Sequence, residues 1–148
     1  EKVLKHGLIQ AEQYLKKKFD VIVSIPPTSP LRKKQDVILF IKKLIIKKFD
    51  AVWTVSKIDS KYHPYKSLNI KKNKLSFFSC HGKKIKYRQQ LNDLYFRNGC
   101  CYVFTRKAIM SQKILPKNSS YIISKTEQLS IDTLEDLKKA KYISKKTI

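Results

Sequence analysis

Hydrophobic positions along the chain alternate between a helical spacing and short unbroken runs. From Lys2 to Lys18 apolar residues recur at every third or fourth position, which predicts an amphipathic helix. The run VIVSI at 21–25 predicts a short buried strand. A second helical stripe follows Asp36, whose carboxylate suits the helix dipole, and AVWTV at 51–55 predicts another strand. Strand, helix and strand in this order predict one βαβ unit with a parallel sheet.

The segment from Ser56 to Asn98 departs from this rhythm. It holds the alternating stretches SLNI and LSFF on either side of KKNK, followed by the polar run KYRQQLND. Short antiparallel strands or a projecting arm fit this pattern better than another helix. Regular alternation then resumes, and the predicted elements are strands at Cys100–Thr105 and Tyr121–Ser124 and helices from Lys107 to about Gln112 and from Leu134 to about Ile143.

Length and composition favour a single α/β domain over residues 1–148. The chain has 148 residues, of which 42% are hydrophobic, enough for one core. No apolar run approaches the roughly 20 residues that a membrane-spanning helix needs, and the first residues lack the features of a signal peptide. We therefore expect a cytoplasmic protein with no membrane partner. Cys80, Cys100 and Cys101 lack metal-ligand spacing, so we expect free thiols that are buried or half-buried, the last two on opposite faces of a strand.

The charge of the chain is strongly positive. Lys and Arg number 33 against 11 Asp and Glu, for a formal net charge of +22. Charge alone would favour a nucleic-acid partner or an anionic membrane surface. Nearly all the basic residues are lysines spread along the chain, however, whereas sites that read phosphate geometry favour arginine. A general bias toward lysine and isoleucine explains the composition, so we expect no nucleic-acid partner. A basic nucleic-acid-binding protein stays open as an alternative.

The loop PPTSPLR at 26–32 leaves the carboxyl end of the first predicted strand, where α/β sheets place their ligands. Thr28 and Ser29 offer hydroxyls, and Arg32 offers a fixed cation. Ser29 followed by Pro30 also fits the N-cap and first position of a helix. A rigid turn between strand and helix is therefore the alternative to a binding loop.

A second group of candidate residues combines cations with amides. Its members are Lys66, Arg88, Gln89, Gln90, Arg97 and Asn98. A guanidinium fork with amides that both donate and accept suits a carboxylate surrounded by hydroxyls, as in an acidic sugar. A plain polar surface would use the same residue types, so this group alone leaves both interpretations open.

A third candidate, Asp132, stands just before the last predicted helix. Thr133 is the expected N-cap of that helix, and Asp136 three positions later completes a variant of the capping box. A carboxylate at this place could hold Mg²⁺ against a nucleotide phosphate. Alternatively, it could only stabilise the helix terminus, by about 0.3–1 kcal/mol.

Taken in order, the blocks PPTSPLR, HPYK, RQQL, NGCCYVF and SIDTLEDL resemble the CMP-N-acylneuraminate synthetase family of cytidylyltransferases. The usual forms in that family are QPTSPLR, HPYK, RQ or RQQL, NGAIY and DIDTxED. The resemblance runs from about Phe19 to Ala140. It implies a Rossmann-like nucleotidyltransferase fold with three layers and a mostly parallel sheet. It also implies transfer of CMP from CTP to the anomeric hydroxyl of an acidic nine-carbon sugar, with Mg²⁺ as cofactor and release of pyrophosphate.

The resemblance also implies roles for individual residues. Asp132 would be the metal ligand and, with Arg32, catalytic, and Arg88 would bind chiefly the carboxylate of the sugar. The segment at about 56–98 would be an arm that pairs the subunits of a homodimer. The residues expected to bind the substrates are Thr28, Ser29, Lys66, Arg88, Gln89 and Asn98.

The chain departs from the family pattern in three places. The nucleotide-binding segment of the type ARxGSKxxPxKN does not occur in this sequence, so the resemblance is to the C-terminal two-thirds of such an enzyme. Ser130 stands where the family has the first Asp of DID, although relatives that use ketodeoxyoctonate have a single Asp in GVDTPED. Pro26 stands where the family has glutamine, and the same resemblance implies that this glutamine contacts the sugar. A catalytically inactive fragment and a non-catalytic dimer partner are therefore alternatives.

Overall fold

Helices and strands alternate along the chain largely as the hydrophobic pattern predicts. A computed structural model describes residues 2–113, 115–124 and 129–146. The helices are α1 (Lys2–Leu15), α2 (Lys34–Ile46), α3 (Arg106–Met110) and α4 (Leu134–Lys146). The strands are β1 (Val21–Ser24), β2 (Ala51–Lys57), β3 (Leu68–Lys71), β4 (Lys74–Phe77), β5 (Tyr95–Thr105) and β6 (Ser119–Ile123). The predicted mixture of α and β structure is confirmed.

The main sheet has the strand order β1-β5-β2-β6. Strand β1 pairs antiparallel with β5, so that Val21 lies opposite Thr105. Strands β2 and β6 are parallel, with Ala51 beside Ser119. The expected mostly parallel sheet is therefore mixed. The reason is that β5 lies between β1 and β2 and is antiparallel to β1. The periodicity of the strands does not encode this insertion.

The chain divides into two compact units. The larger unit consists of residues 1–55 with 97–148, and the smaller unit consists of residues 56–96. In the smaller unit β3 and β4 form an antiparallel hairpin, with Leu68 opposite Phe77. The two turn residues, Lys72 and Asn73, both have positive φ (49° and 57°), as a type I′ hairpin turn requires. The antiparallel strands predicted around KKNK are thus confirmed.

The core of the larger unit has helices on both faces of the sheet. One apolar cluster joins α2 to the sheet and contains Phe40, Leu44, Val52, Cys100, Cys101 and Val103. The other joins α1 and α3 to the sheet and contains Leu8, Ala51, Phe104, Ala108 and Ile109. From Ala51 to Trp53 in β2 and from Cys101 to Phe104 in β5, successive residues enter opposite clusters, because side chains alternate across a strand. The loops that leave the sheet ends are thus supported by helices on either side.

The cysteines confirm one expectation and correct two. All three are free, and Cys100 and Cys101 are buried, but Cys80 is exposed. Cys100 and Cys101 join the same apolar cluster instead of opposite ones. Strand β5 leaves extended geometry at Gly99 (φ +72°), immediately before the pair. Burial raises the pKa of the Cys101 thiol to about 11, so this thiol stays protonated and unreactive at neutral pH.

Within the part of the chain that the structure describes, none of the helices has both the length and the apolar surface to cross a membrane.

Candidate substrate site

The loop at 26–32 is anchored to strand β5 by Ser29. The Ser29 side chain is buried, and its hydroxyl donates a hydrogen bond to the Gly99 carbonyl at 3.1 Å. Helix α2 begins only at Lys34, where the Lys33 N–H donates to the Asp36 carboxylate at 3.2 Å. The expectation that Ser29 could cap this helix is therefore wrong, because its hydroxyl is engaged with β5. Asp36 lies in the first turn of α2, as predicted.

Arg32 holds the same loop from its other end. Its guanidinium donates one hydrogen bond to the Cys100 carbonyl at 2.8 Å and another to the Pro26 carbonyl. The side chain thus closes the loop on itself and ties it to β5. Arg32, the predicted catalytic arginine, therefore uses two of its N–H groups to hold the loop. Its other N–H groups could still donate to a ligand.

The Asn98-Gly99 pair forms the β5 side of this arrangement. The Asn98 side chain is buried; its oxygen accepts from the Cys100 N–H at 3.1 Å, and its amide donates to the Ser124 hydroxyl at 2.7 Å. Gly99 has φ +72°, and an added Cβ would lie 3.5 Å from the Ser29 hydroxyl. Asn98 therefore connects β5 to the residue that follows β6, while Gly99 lets the strand bend toward the loop.

The stretch before α4 approaches the loop through its main chain. The Ile131 N–H donates to the Thr28 carbonyl at 2.8 Å, which places Asp132 next in sequence to a direct contact with the loop. Thr28 and Asp132 both have exposed side chains. Among the predicted site residues of the loop, of β5 and of the stretch before α4, these two therefore have side chains that are open to solvent.

A capping box fixes the start of α4, as predicted. The Asp136 N–H donates to the Thr133 hydroxyl at 3.2 Å, and the Thr133 N–H donates to the Asp136 carboxylate at 2.9 Å. The Thr133 hydroxyl also donates to that carboxylate and is the main cause of the lowered pKa of Asp136. Asp136 is thereby engaged as a cap, which leaves Asp132 as the exposed carboxylate beside the loop.

Asp132 fits one manner of binding Mg²⁺. Among the described residues, no cluster of three or more His, Cys, Asp or Glu side chains could hold a metal ion. Mg²⁺ is nevertheless often held by one or two carboxylates together with water and substrate phosphates. An exposed carboxylate beside a polar loop is compatible with that mode.

The larger unit therefore brings five of the predicted site residues into one hydrogen-bonded region. Three separated stretches meet there, at 26–32, 98–100 and 131–132, with Ser124 as a further contact. The predicted residues in this region are Thr28, Ser29, Arg32, Asn98 and Asp132. We call this region the loop cluster.

Lys66 and Arg88 line one pocket of the smaller unit. Its volume is about 380 Å³, and the aromatic residues Tyr65, Phe77 and Tyr87 contribute to its wall. Both cations are exposed, and the ion pairs of the described residues involve neither of them. Lys86 also lines this pocket, is exposed and takes no part in those ion pairs. The pocket, which we call the cationic pocket, therefore presents three positive charges to solvent.

The glutamines beside Arg88 have different surroundings. Gln89 is exposed and does not line the cationic pocket. The Gln90 side-chain oxygen accepts from the Lys86 and Tyr87 N–H groups at 2.8 and 3.0 Å. Gln90 therefore stabilises the turn that presents Arg88.

Sequence reasoning missed the residues that position Lys66. His63 is buried, its Nδ1 accepts from the Tyr65 N–H at 3.1 Å, and its carbonyl accepts from the Lys66 N–H at 2.8 Å. The Tyr65 ring stacks on His81 at 5.3 Å, and a Cβ at Gly82 would collide with the Tyr65 carbonyl. A histidine followed by proline is itself a signal for a capped turn, and this signal could have identified the scaffold role of His63.

The fold and the loop cluster together define a mixed α/β protein with a polar region where strands and loops meet. No protein-family profile matches the chain. Post-translational flagellin modification protein B of Campylobacter coli is 22% identical to it over 151 residues. That alignment covers 97% of this chain and 60% of the relative, so the chain spans about three-fifths of the length of the curated protein that it matches.

Proposed function

We propose that this chain is part of a cytidylyltransferase that transfers CMP from CTP to an acidic nonulosonic sugar, for glycan synthesis. The loop cluster carries the proposal, because specific hydrogen bonds join the loop at 26–32 to motifs about 70 and about 100 residues further along the chain. The relative named for post-translational modification of flagellin is compatible with an enzyme that supplies an activated sugar. A Rossmann-like nucleotidyltransferase fold and a homodimer paired by an arm at about 56–98 belong to the same proposal.

In the proposed reaction the anomeric hydroxyl of the sugar attacks the α-phosphorus of CTP in line. A bond forms between the sugar oxygen and phosphorus, the bond to the bridging oxygen breaks, pyrophosphate leaves, and the hydroxyl proton passes to solvent. Asp132 would hold Mg²⁺ against the triphosphate, and this ion would neutralise the charge that develops there. Thr28 would donate its exposed hydroxyl, and Arg32 its remaining N–H groups, to phosphate oxygens.

The cationic pocket would bind the sugar acid. Its volume of about 380 Å³ lies within the range of small-molecule sites, and Lys66 and Arg88 lack carboxylate partners among the described residues. The Arg88 fork matches a carboxylate. Gln89, exposed next to Arg88 but outside the pocket lining, would contact sugar hydroxyls that extend beyond the pocket. An anionic sugar would therefore be favoured over a neutral one.

The test is a transfer assay on two forms of the protein. The purified chain, and the chain together with whatever coding sequence flanks it, are supplied with CTP, Mg²⁺ and N-acetylneuraminate or a related acid. Pyrophosphate release that needs the sugar, with a CMP-sugar detected by mass spectrometry, is the expected result. Arg88→Gln should raise the KM for the sugar by about 10-fold or more through loss of a charge-assisted bond, whereas Lys74→Gln on the exposed hairpin should not change it.

Absence of sugar-dependent pyrophosphate release in both forms would refute the proposed activity. The alternative of a non-catalytic subunit would then be tested by size-exclusion chromatography with an active synthetase. Co-elution would support pairing through residues 56–96, and variants of that segment should abolish it.

The net charge of +22 favours a second candidate, a basic nucleic-acid-binding protein. Binding to duplex and single-stranded DNA would be measured over a series of salt concentrations. Tight binding that falls steeply with salt would support this function. Weak binding that is the same for every nucleic acid would contradict it and would indicate adsorption by scattered lysines.

A further inference from the structure

A small cavity lies within the larger unit, on the α1 and α3 side of the main sheet. Its volume is about 160 Å³, and it does not include any residue of the loop cluster. Most of its wall is apolar and comes from Leu4, Trp53, Tyr102, Phe104, Ala108 and Ile109. Arg97, Gln112 and Lys113 complete the lining with polar groups. We call it the Trp53 cavity.

Trp53 lines this cavity and carries a hydrogen-bond donor without an acceptor. The indole N–H is buried and has no hydrogen-bond acceptor, and it is the one buried side-chain polar atom in this condition among the described residues. The indole ring packs edge-on against Tyr102, with ring centroids 5.2 Å apart. Buried donors are almost always paired, so the Trp53 N–H is an exception in the core next to this cavity.

Arg97 and Lys113 add positive charge to the cavity. Both side chains are exposed, and neither takes part in the ion pairs found in residues 2–113, 115–124 and 129–146. Gln112 has a positive φ of 54° just after α3, and this bend precedes Lys113. Two cations without carboxylate partners beside an apolar wall favour an anion with an apolar body.

We propose that the Trp53 cavity binds a small carboxylic acid whose apolar body is about the size of a benzene ring. A cavity of about 150 Å³ is known to accommodate benzene, so the volume of about 160 Å³ suits an apolar body of that size. The carboxylate meets Arg97 and Lys113, and the body packs against the apolar wall beside Trp53. This site is separate from the proposed transferase reaction and does not depend on it.

The chain has a single tryptophan, so its indole N–H gives one resonance in a ¹⁵N–¹H spectrum. Benzoate should shift this resonance in a saturable manner, whereas the neutral benzamide should shift it at least about 10-fold less effectively. The double variant Arg97→Gln with Lys113→Gln should weaken benzoate binding by about 10-fold or more. Lys107→Gln, at an exposed lysine of α3 outside the cavity, should leave it unchanged.

Equal responses to benzoate and benzamide, or a response that survives the double variant, would overturn the assignment. An indole resonance that benzoate does not shift would also overturn the assignment. A resonance that moves with protein concentration alone would assign the cavity to a second copy of the chain and would also overturn it. Arg97→Lys, which keeps the charge, should retain binding, and this variant separates loss of charge from loss of folding.

Discussion

Replacement of Arg32 by lysine tests whether the guanidinium holds the loop at 26–32. Arg32 bridges two main-chain carbonyls, that of Cys100 in β5 and that of Pro26 at the start of the loop. Lysine keeps the positive charge, but its ammonium lacks the planar fork that reaches both acceptors at once. The variant should therefore lose at least one of the two hydrogen bonds.

The expected cost follows from this loss. A hydrogen bond from a charged donor contributes about 1.5–3 kcal/mol. Arg32 is only half-buried, so solvent reduces the contribution of its hydrogen bonds below the top of this range. We therefore expect Arg32→Lys to lower the free energy of unfolding by about 1–2 kcal/mol. Urea unfolding followed by far-UV circular dichroism would measure it.

Arg97→Lys is the matched control, because Arg97 lies in the same compact unit and is exposed. Its free energy of unfolding should stay within about 0.5 kcal/mol of the parent. Hydrogen exchange gives a local measurement: the Ser29 and Ile131 amides, which bond to carbonyls of the loop, should lose protection in Arg32→Lys. If Arg32→Lys is as stable as the control and these amides stay protected, the guanidinium does not hold the loop.

Three further predictions concern the larger unit. Gly99→Ala should destabilise the protein by about 1–2 kcal/mol because its φ is +72°, whereas the helical Gly7→Ala, with open space around its Cβ, should stabilise it by about 0.5–1 kcal/mol; thermal unfolding of both would show opposite signs. Two hydrogen bonds from Arg106 and one from a main-chain amide hold the pKa of Glu12 at about 2 instead of 4.5, so its stabilising effect is complete above pH 4.5 and is lost as the pH falls toward 2. Glu12→Gln should flatten this acid dependence in urea unfolding, and an unchanged curve would refute the assignment. Thr54→Val should cost about 1–3 kcal/mol, because the fully buried hydroxyl bonds to both the N–H and the carbonyl of a β5 residue, and Thr54→Ser, which keeps those bonds, should cost less.

Local features of the fold could be predicted from the sequence because nearby residues determine them. The turn at KKNK and the capping box of Thr133 and Asp136 depend on residues within four positions of one another. The helical stripe of α2 likewise reflects burial of every third or fourth residue. These features were predicted correctly.

Long-range features could not be predicted in this way. The antiparallel insertion of β5 between β1 and β2 depends on contacts between distant segments, and an apolar run has the same pattern in either direction. Ser29 illustrates the same problem at one residue. A serine before a proline suits a helix cap, but here its hydroxyl bonds to Gly99, 70 positions away, and no local pattern encodes that partner.

The motif residues fall into two physical groups that their sequence alone does not separate. Ser29 and Asn98 are 1% and 6% exposed and bond within the protein, so their substitution should lower stability before it affects any ligand. A second group has exposed side chains, so its substitution should affect binding with little change in stability; its members are Thr28, Lys66, Arg88, Gln89 and Asp132. Arg32 is half-buried, donates to two carbonyls and keeps other N–H groups, so it alone of these residues should affect both. A single motif therefore combines scaffold residues with contact residues, and burial together with hydrogen bonding distinguishes them.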